Sequence, residues 1–147
     1  MYIWISASRN KRPYWRVKLK YLIVEDDPNL RLLWRSVLGE MGCDVSEAAT
    51  LDEATSALAS QSFDAMILDL YLGRDSGLSL AMTVETENPG CKVIIVTGAA
   101  DVSEANLRAQ AASIVSVHRK PVDIEDLMGV CSRLAAAPIE TDRAANA

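Results

Sequence analysis

Histidine occurs once in the 147 residues, as His118, and cysteine three times, as Cys43, Cys91 and Cys131. Neither type is paired at a metal-closing spacing, which excludes a zinc centre. An odd set of thiols in apolar or element-edge positions points to free cysteines filling the core of a protein in a reducing, intracellular setting. Long hydrophobic runs are also missing: no apolar stretch approaches the roughly 20 residues that span a bilayer. The opening MYIWISA is apolar, but its basic residues follow it, the reverse of the order in a secretory signal. A cytoplasmic protein without membrane association is expected.

Bases are scarce beyond the first twenty positions. Residues 1–20 hold six of the 15 Lys and Arg and no acid, which leaves nine bases against 20 acids in residues 21–147. Such an acidic body argues against DNA binding, because affinity for a polyanion rests on Lys and Arg neutralising phosphates. Half of the residues are apolar, enough for one domain with a hydrophobic core. The organisation expected is a basic, aromatic extension over 1–19 that is poorly ordered, a domain over 20–137, and a short tail over 138–147. The tail is too short and polar for an output domain, so a stand-alone module is expected, with an excised piece of a longer protein left open.

Within the domain, short β-branched or aliphatic runs alternate with longer segments of helical period. Strands are expected at 20–25, 44–48, 64–69, 92–97 and 113–118. YLIV, AMIL and VIIV are apolar throughout, as strands covered on both faces must be, whereas DVSEA alternates and belongs at an edge. Asp27 and Pro28 form a cap and first-turn proline for a helix carrying Leu30, Leu33, Trp34, Val37, Leu38 and Met41, which Gly42 ends. TLDE, Thr50 to Glu53, is a capping box for a helix to about Ser60. Further helices are expected from Ser76 to Glu87, from Val102 to Ala111, and after Asp123, where Ile124, Leu127, Met128, Cys131 and Leu134 share a stripe. This βαβαβαβαβα order implies an α/β fold with a doubly wound parallel sheet and right-handed crossovers.

Ligands of such folds sit beyond the carboxyl ends of the strands. There the sequence is unusually polar: Glu25, Asp26 and Asp27 end the first strand, Asp69 the third and Thr97 the fourth, while Lys120 follows the fifth. Packing alone gives no reason to stack three carboxylates where a buried strand stops. Carboxylates that close repel one another unless a cation is present, so a divalent metal is implied. Few oxygen ligands, with room left for water and a phosphoryl group, suit Mg²⁺ better than an all-protein calcium cage.

This constellation resembles the response-regulator receiver domain of two-component signalling, over residues 20 to about 136. In that family an acidic pair ends the first strand, a phosphorylated aspartate the third and a Thr or Ser the fourth, and Lys-Pro follows the fifth. Glu25 and Asp26, Asp69, Thr97, and Lys120 with Pro121 stand at those positions. The resemblance implies a flavodoxin-like, five-stranded sheet in order 2-1-3-4-5 with five helices. It also implies a phosphorylation-dependent switch that is not otherwise an enzyme. Asp69 is then the nucleophile toward a sensor histidine kinase, a phosphotransfer protein or a small phosphodonor. Asp26, Asp69 and the carbonyl of Tyr71 hold Mg²⁺, and Glu25 acts through a metal-bound water. Lys120 neutralises phosphoryl oxygens, and Thr97 donates its hydroxyl to the attached group. A downstream protein is expected on the face of the last two strands, and a homodimer stays open.

Three positions depart from the family. Val117 replaces the usual aromatic three residues before the lysine and cannot report by ring rotation. Gly73 stands where a proline is common, which predicts a more mobile LGRDSG loop. Tyr71 and Ala99 occupy the positions thought to tune hydrolysis, and the Tyr71 ring is expected to obstruct the attacking water. His118 is expected to be a strand-end residue near a partner-binding face. Two other readings share parts of this pattern: an unphosphorylated pseudo-receiver, and a Mg²⁺-dependent phosphatase with an aspartyl nucleophile. The former lacks an acidic or lysine position, and none is missing here. The latter wants a second aspartate where Tyr71 stands.

Overall fold

The computed structural model describes residues 18–99 and 102–136. The expected extension up to residue 17 and the expected tail over 138–147 lie outside the described residues. In chain order the elements are β1 (Lys20–Val24), α1 (Pro28–Glu40), β2 (Asp44–Ala48), α2 (Leu51–Ser60) and β3 (Ala65–Asp69). β4 (Tyr71–Leu72), β5 (Asp75–Ser76), α3 (Leu78–Glu87), β6 (Lys92–Thr97), α4 (Glu104–Gln110), β7 (Ile114–Arg119) and α5 (Ile124–Ala136) follow. Five parallel strands pair in the order β2-β1-β3-β6-β7, with β4 and β5 forming a separate antiparallel hairpin. Counting only the main sheet, this is the 2-1-3-4-5 order expected above.

Side-chain alternation along the central strands supplies the two cores. Tyr21 and Ile23 of β1, Ala65 and Ile67 of β3, and Ile94 and Val96 of β6 pack with Trp34 and Leu38 of α1 and Leu127, Val130 and Cys131 of α5. Leu22, Val24, Met66, Leu68, Val93 and Ile95 point to the opposite face and meet α2, α3 and α4. Fully burying one such aliphatic side chain contributes about 1.5–3 kcal/mol, so the central strands fix the position of their own tips. Cys43, Cys91 and Cys131 are free, and burial pushes the Cys91 thiol up to about 12, which suits an inert core filler.

The helix ends follow the local chemistry. The Asp27 carboxylate accepts from the amides of Asn29 and Leu30, and Pro28 opens α1. Gly42, at φ 81°, closes α1 with bonds from Gly42 N to Gly39 O and from Cys43 N to Leu38 O. This is a Schellman ending, which needs the left-handed conformation that glycine adopts at least cost. Thr50 caps α2 through the Glu53 amide, and Glu53 reaches back to the amide of Ala49, one residue before the cap.

Some boundaries differ from the sequence reading. Contacts reach the two residues before β1: Lys18 pairs with Asp44, and the Leu19 carbonyl accepts from the Asp44 amide. Ser76 does not begin α3; it pairs with Tyr71 in the β4–β5 hairpin, so part of LGRDSG is a tight turn at Gly73, φ 61°. Leu33 falls off the apolar stripe of α1 and is exposed, whereas Val130, absent from the expected stripe of α5, is buried.

Candidate functional site

The tips of β1, β3, β6 and β7 converge at one rim. Glu25 follows β1 directly, its amide donating to the Ala48 carbonyl of β2 at 3.1 Å. Asp69 closes β3, and Thr97 closes the neighbouring β6. Lys120 follows β7, its amide bonded to the Thr97 carbonyl at 2.8 Å and its peptide bond to Pro121 cis. From there its Nζ reaches Asp69 Oδ2 at 3.0 Å and the Glu25 carboxylate at 3.2 and 3.3 Å. Glu25, Asp69 and Thr97 are buried, while Asp26 is exposed. One carboxylate oxygen from each of Glu25, Asp26 and Asp69 lies within 4.8 Å of the others.

The hairpin forms the remaining wall. Its Tyr71 amide donates to Asp69 Oδ1 at 3.1 Å, and the Gly73 amide to Asp26 Oδ2 at 3.3 Å. Tyr71 itself is half exposed. On the other side, Thr97 Oγ1 accepts from the Ala99 amide at 3.1 Å, which holds the hydroxyl at the root of the β6–α4 loop.

The electrostatics follow from burial and like charge. Desolvation, and then the Asp69 charge, push the Glu25 carboxyl up to about 7, with Lys120 pulling the other way. Burial disfavours the Lys120 ammonium, but its bonds to Asp69 and Glu25 outweigh that and raise its pKa. One ammonium therefore faces two buried acids, and with Asp26 beside them the cluster keeps a formal excess of negative charge that a further cation would offset. Hard oxygen donors in this number fit Mg²⁺, which keeps several waters and takes one or two carboxylates.

A family model described as the response regulator receiver domain matches residues 21–131. The chain belongs to the response regulator receiver family. Response regulator protein PilR of Pseudomonas aeruginosa is 35% identical over 107 residues, which is 71% of this chain and 23% of that relative's length. A receiver domain protein (CheY-like) from Methanospirillum hungatei is 26% identical, with a TM-score of 0.73, covering 81% of this chain and 94% of that one. Response regulator TrrA from Thermotoga maritima, solved in complex with Mg²⁺-BeF, is 25% identical with a TM-score of 0.69, covering 79% and 98%. The acidic cluster of Glu25, Asp26 and Asp69 resembles the magnesium site of receivers.

All the residues expected at the receiver site thus reach one rim, with the Tyr71 backbone beside them. His118 stands apart on β7, half-buried, with Nε2 3.1 Å from Ser116 Oγ. Two residues of the site were not singled out from sequence. Gly77 precedes α3, its amide 2.6 Å from the Leu70 carbonyl, and a Cβ there would lie 2.5 Å from the Asp69 carbonyl oxygen. Only a residue without a side chain lets the chain pass that close. The pair Ser76-Gly77 before a helix was the available signal. Arg31 of α1 is the second, its Nη1 2.8 Å from the Glu25 carbonyl oxygen.

Proposed function

We propose that this receiver accepts a phosphoryl group on Asp69 in a Mg²⁺-dependent reaction and acts as a phosphorylation-dependent switch. The observation that carries this reading is the contact of Lys120 Nζ with both Asp69 and Glu25, beside an exposed Asp26. In it, an Asp69 carboxylate oxygen attacks the phosphorus of a phosphohistidine or small acyl phosphate as the bond to the donor breaks, and the donor's imidazole nitrogen or carboxylate oxygen departs with the bonding electrons. When bound by Asp26, Asp69 and the Tyr71 carbonyl, Mg²⁺ supplies charge neutralisation at the phosphoryl oxygens. Glu25 would act through a water on that ion. Lys120 exchanges its Asp69 contact for a phosphoryl oxygen, and the Thr97 hydroxyl leaves the Ala99 amide to donate to another. The Tyr71 ring obstructs the water that would hydrolyse the acyl phosphate. Replacing it with alanine is expected to speed dephosphorylation, and an unchanged or slower rate would oppose that role.

The donor proposed is a sensor histidine kinase or phosphotransfer protein. Output passes through protein contacts on the face of β6, β7, α4 and α5, without DNA binding by this domain. Exposure to a labelled small acyl phosphate with Mg²⁺ tests the reading. The expected result is stoichiometric label released by hydroxylamine, as an acyl phosphate requires. Continuous turnover of unrelated phosphomonoesters would oppose it and favour a phosphatase.

A further inference from the structure

We propose that Arg31 is a positioning residue for the acidic cup, holding the backbone that aims Glu25 and Asp26; this rests on reading Glu25, Asp26 and Asp69 as a Mg²⁺ site. Arg31 lies in the first turns of α1. Its Nη1 donates to the carbonyls of Glu25 at 2.8 Å and Asp26 at 3.2 Å, the two residues that carry the first-strand acids. Its Nε stands 3.7 Å from Glu47 Oε1 on β2, and the other oxygen of Glu47 accepts from Arg35. Glu47 immediately precedes Ala48, whose carbonyl takes the Glu25 amide. Residue 25 is therefore pinned on both sides, by its amide to β2 and by its carbonyl to a guanidinium that β2 itself anchors. The closed path runs from the β1 tip to α1, to β2 and back.

Arginine suits this task for a geometric reason. Its planar fork presents five fixed donors, enough to serve two carbonyls and a carboxylate at once, whereas an ammonium on a flexible stem is a point charge. The guanidinium side chain is 21% exposed, so water competes weakly for these bonds.

Positioning and plain charge make opposite forecasts for the metal. A cation beside the cup repels Mg²⁺, so if charge alone mattered its removal would tighten binding. If Arg31 orients the ligands, its removal weakens binding, as loss of outer-shell partners does by roughly tenfold or more.

The test is calorimetric titration of the full chain with MgCl₂, for wild type and variants whose circular dichroism is native. Arg31→Ala is expected to raise the Mg²⁺ Kd about tenfold, the low end of the range for outer-shell changes, and Arg31→Lys, which keeps charge and stem, to raise it by a smaller factor. Glu47→Gln is expected to weaken binding less than Arg31→Ala does. Arg35→Ala, which shares Glu47 but touches neither carbonyl, is expected to stay within about twofold, as a change outside that shell should. If Arg31→Ala fails to fold, Arg31→Lys decides. Unchanged or tighter binding in the Arg31 variants beside a wild type that binds Mg²⁺ would overturn the positioning role alone. No Mg²⁺ binding by wild type would remove the metal-site reading and this inference together.

Discussion

Asp69 ends a central strand with every residue buried, whereas Lys120 follows β7, an edge strand in which only Ile114 is buried. The acids thus stand on tips that two hydrophobic cores hold fixed, and the cation that faces them comes from an edge strand that is mostly half-buried. The same edge carries Val117, half-buried toward the α4 side, and Arg119, whose guanidinium donates to the Val102 carbonyl ahead of α4 at 2.7 Å. Under the function proposed above, the β7 backbone and Lys120 would link Asp69 to the α4–β7 face.

Removing the cation should break this division most severely. Lys120→Ala is expected to slow phosphoryl acceptance by roughly a hundredfold or more, the usual loss of a preorganised charge in a transition state. Mg²⁺ affinity should hold or rise, because the cup loses a competing positive charge. Kinetics and calorimetry on one variant check both halves, and parallel loss of both would show that edge and cup are not separable.

The fixed half can be tested by crowding it. Gly77→Ala puts a methyl group against the Asp69 carbonyl and the Leu68 side chain. Overpacking of this kind costs about 1–3 kcal/mol, which a urea midpoint would register. A third variant, Thr97→Ala, removes a hydroxyl that accepts from the Ala99 amide and is proposed to donate to the attached phosphoryl group. Hydrogen bonds to charged groups contribute roughly 1.5–3 kcal/mol, so acceptance should slow about tenfold with Mg²⁺ affinity unchanged.

The smallest effect expected is on pH dependence. Glu25 has an ordinary value of 4.5 and is raised to about 7 in the folded, ion-free protein, so the folded state holds the proton over that window and the unfolded state does not. Ion-free stability should fall as pH rises from 4.5 to 7, and Glu25→Gln should flatten that slope in melting curves. Mg²⁺ should restore the loss at pH 8.

The sheet and the site were legible in sequence for one shared reason. YLIV, AMIL and VIIV are apolar without interruption, so their ends are unambiguous and the polar residue after each is placed on the rim. Where structure depends on contacts between distant segments, the sequence is silent. Tyr71 pairs with Ser76 in strands of two residues each, too short to show a period. Arg31 looks like any charged helix residue until β1 and β2 bring two carbonyls and Glu47 around it. Gly77 looks like a turn glycine until β3 passes 2.5 Å from where its Cβ would stand. Leu33 shows the converse: a residue in register with the apolar stripe of α1 that the sheet does not reach.

Intact-mass measurement after incubation with a small acyl phosphate probes the convergence of these four strand tips most directly. The account predicts one phosphoryl adduct in the presence of Mg²⁺, absent with a chelator and absent in Asp69→Asn. An adduct that forms without Mg²⁺, or that persists in Asp69→Asn, would contradict it.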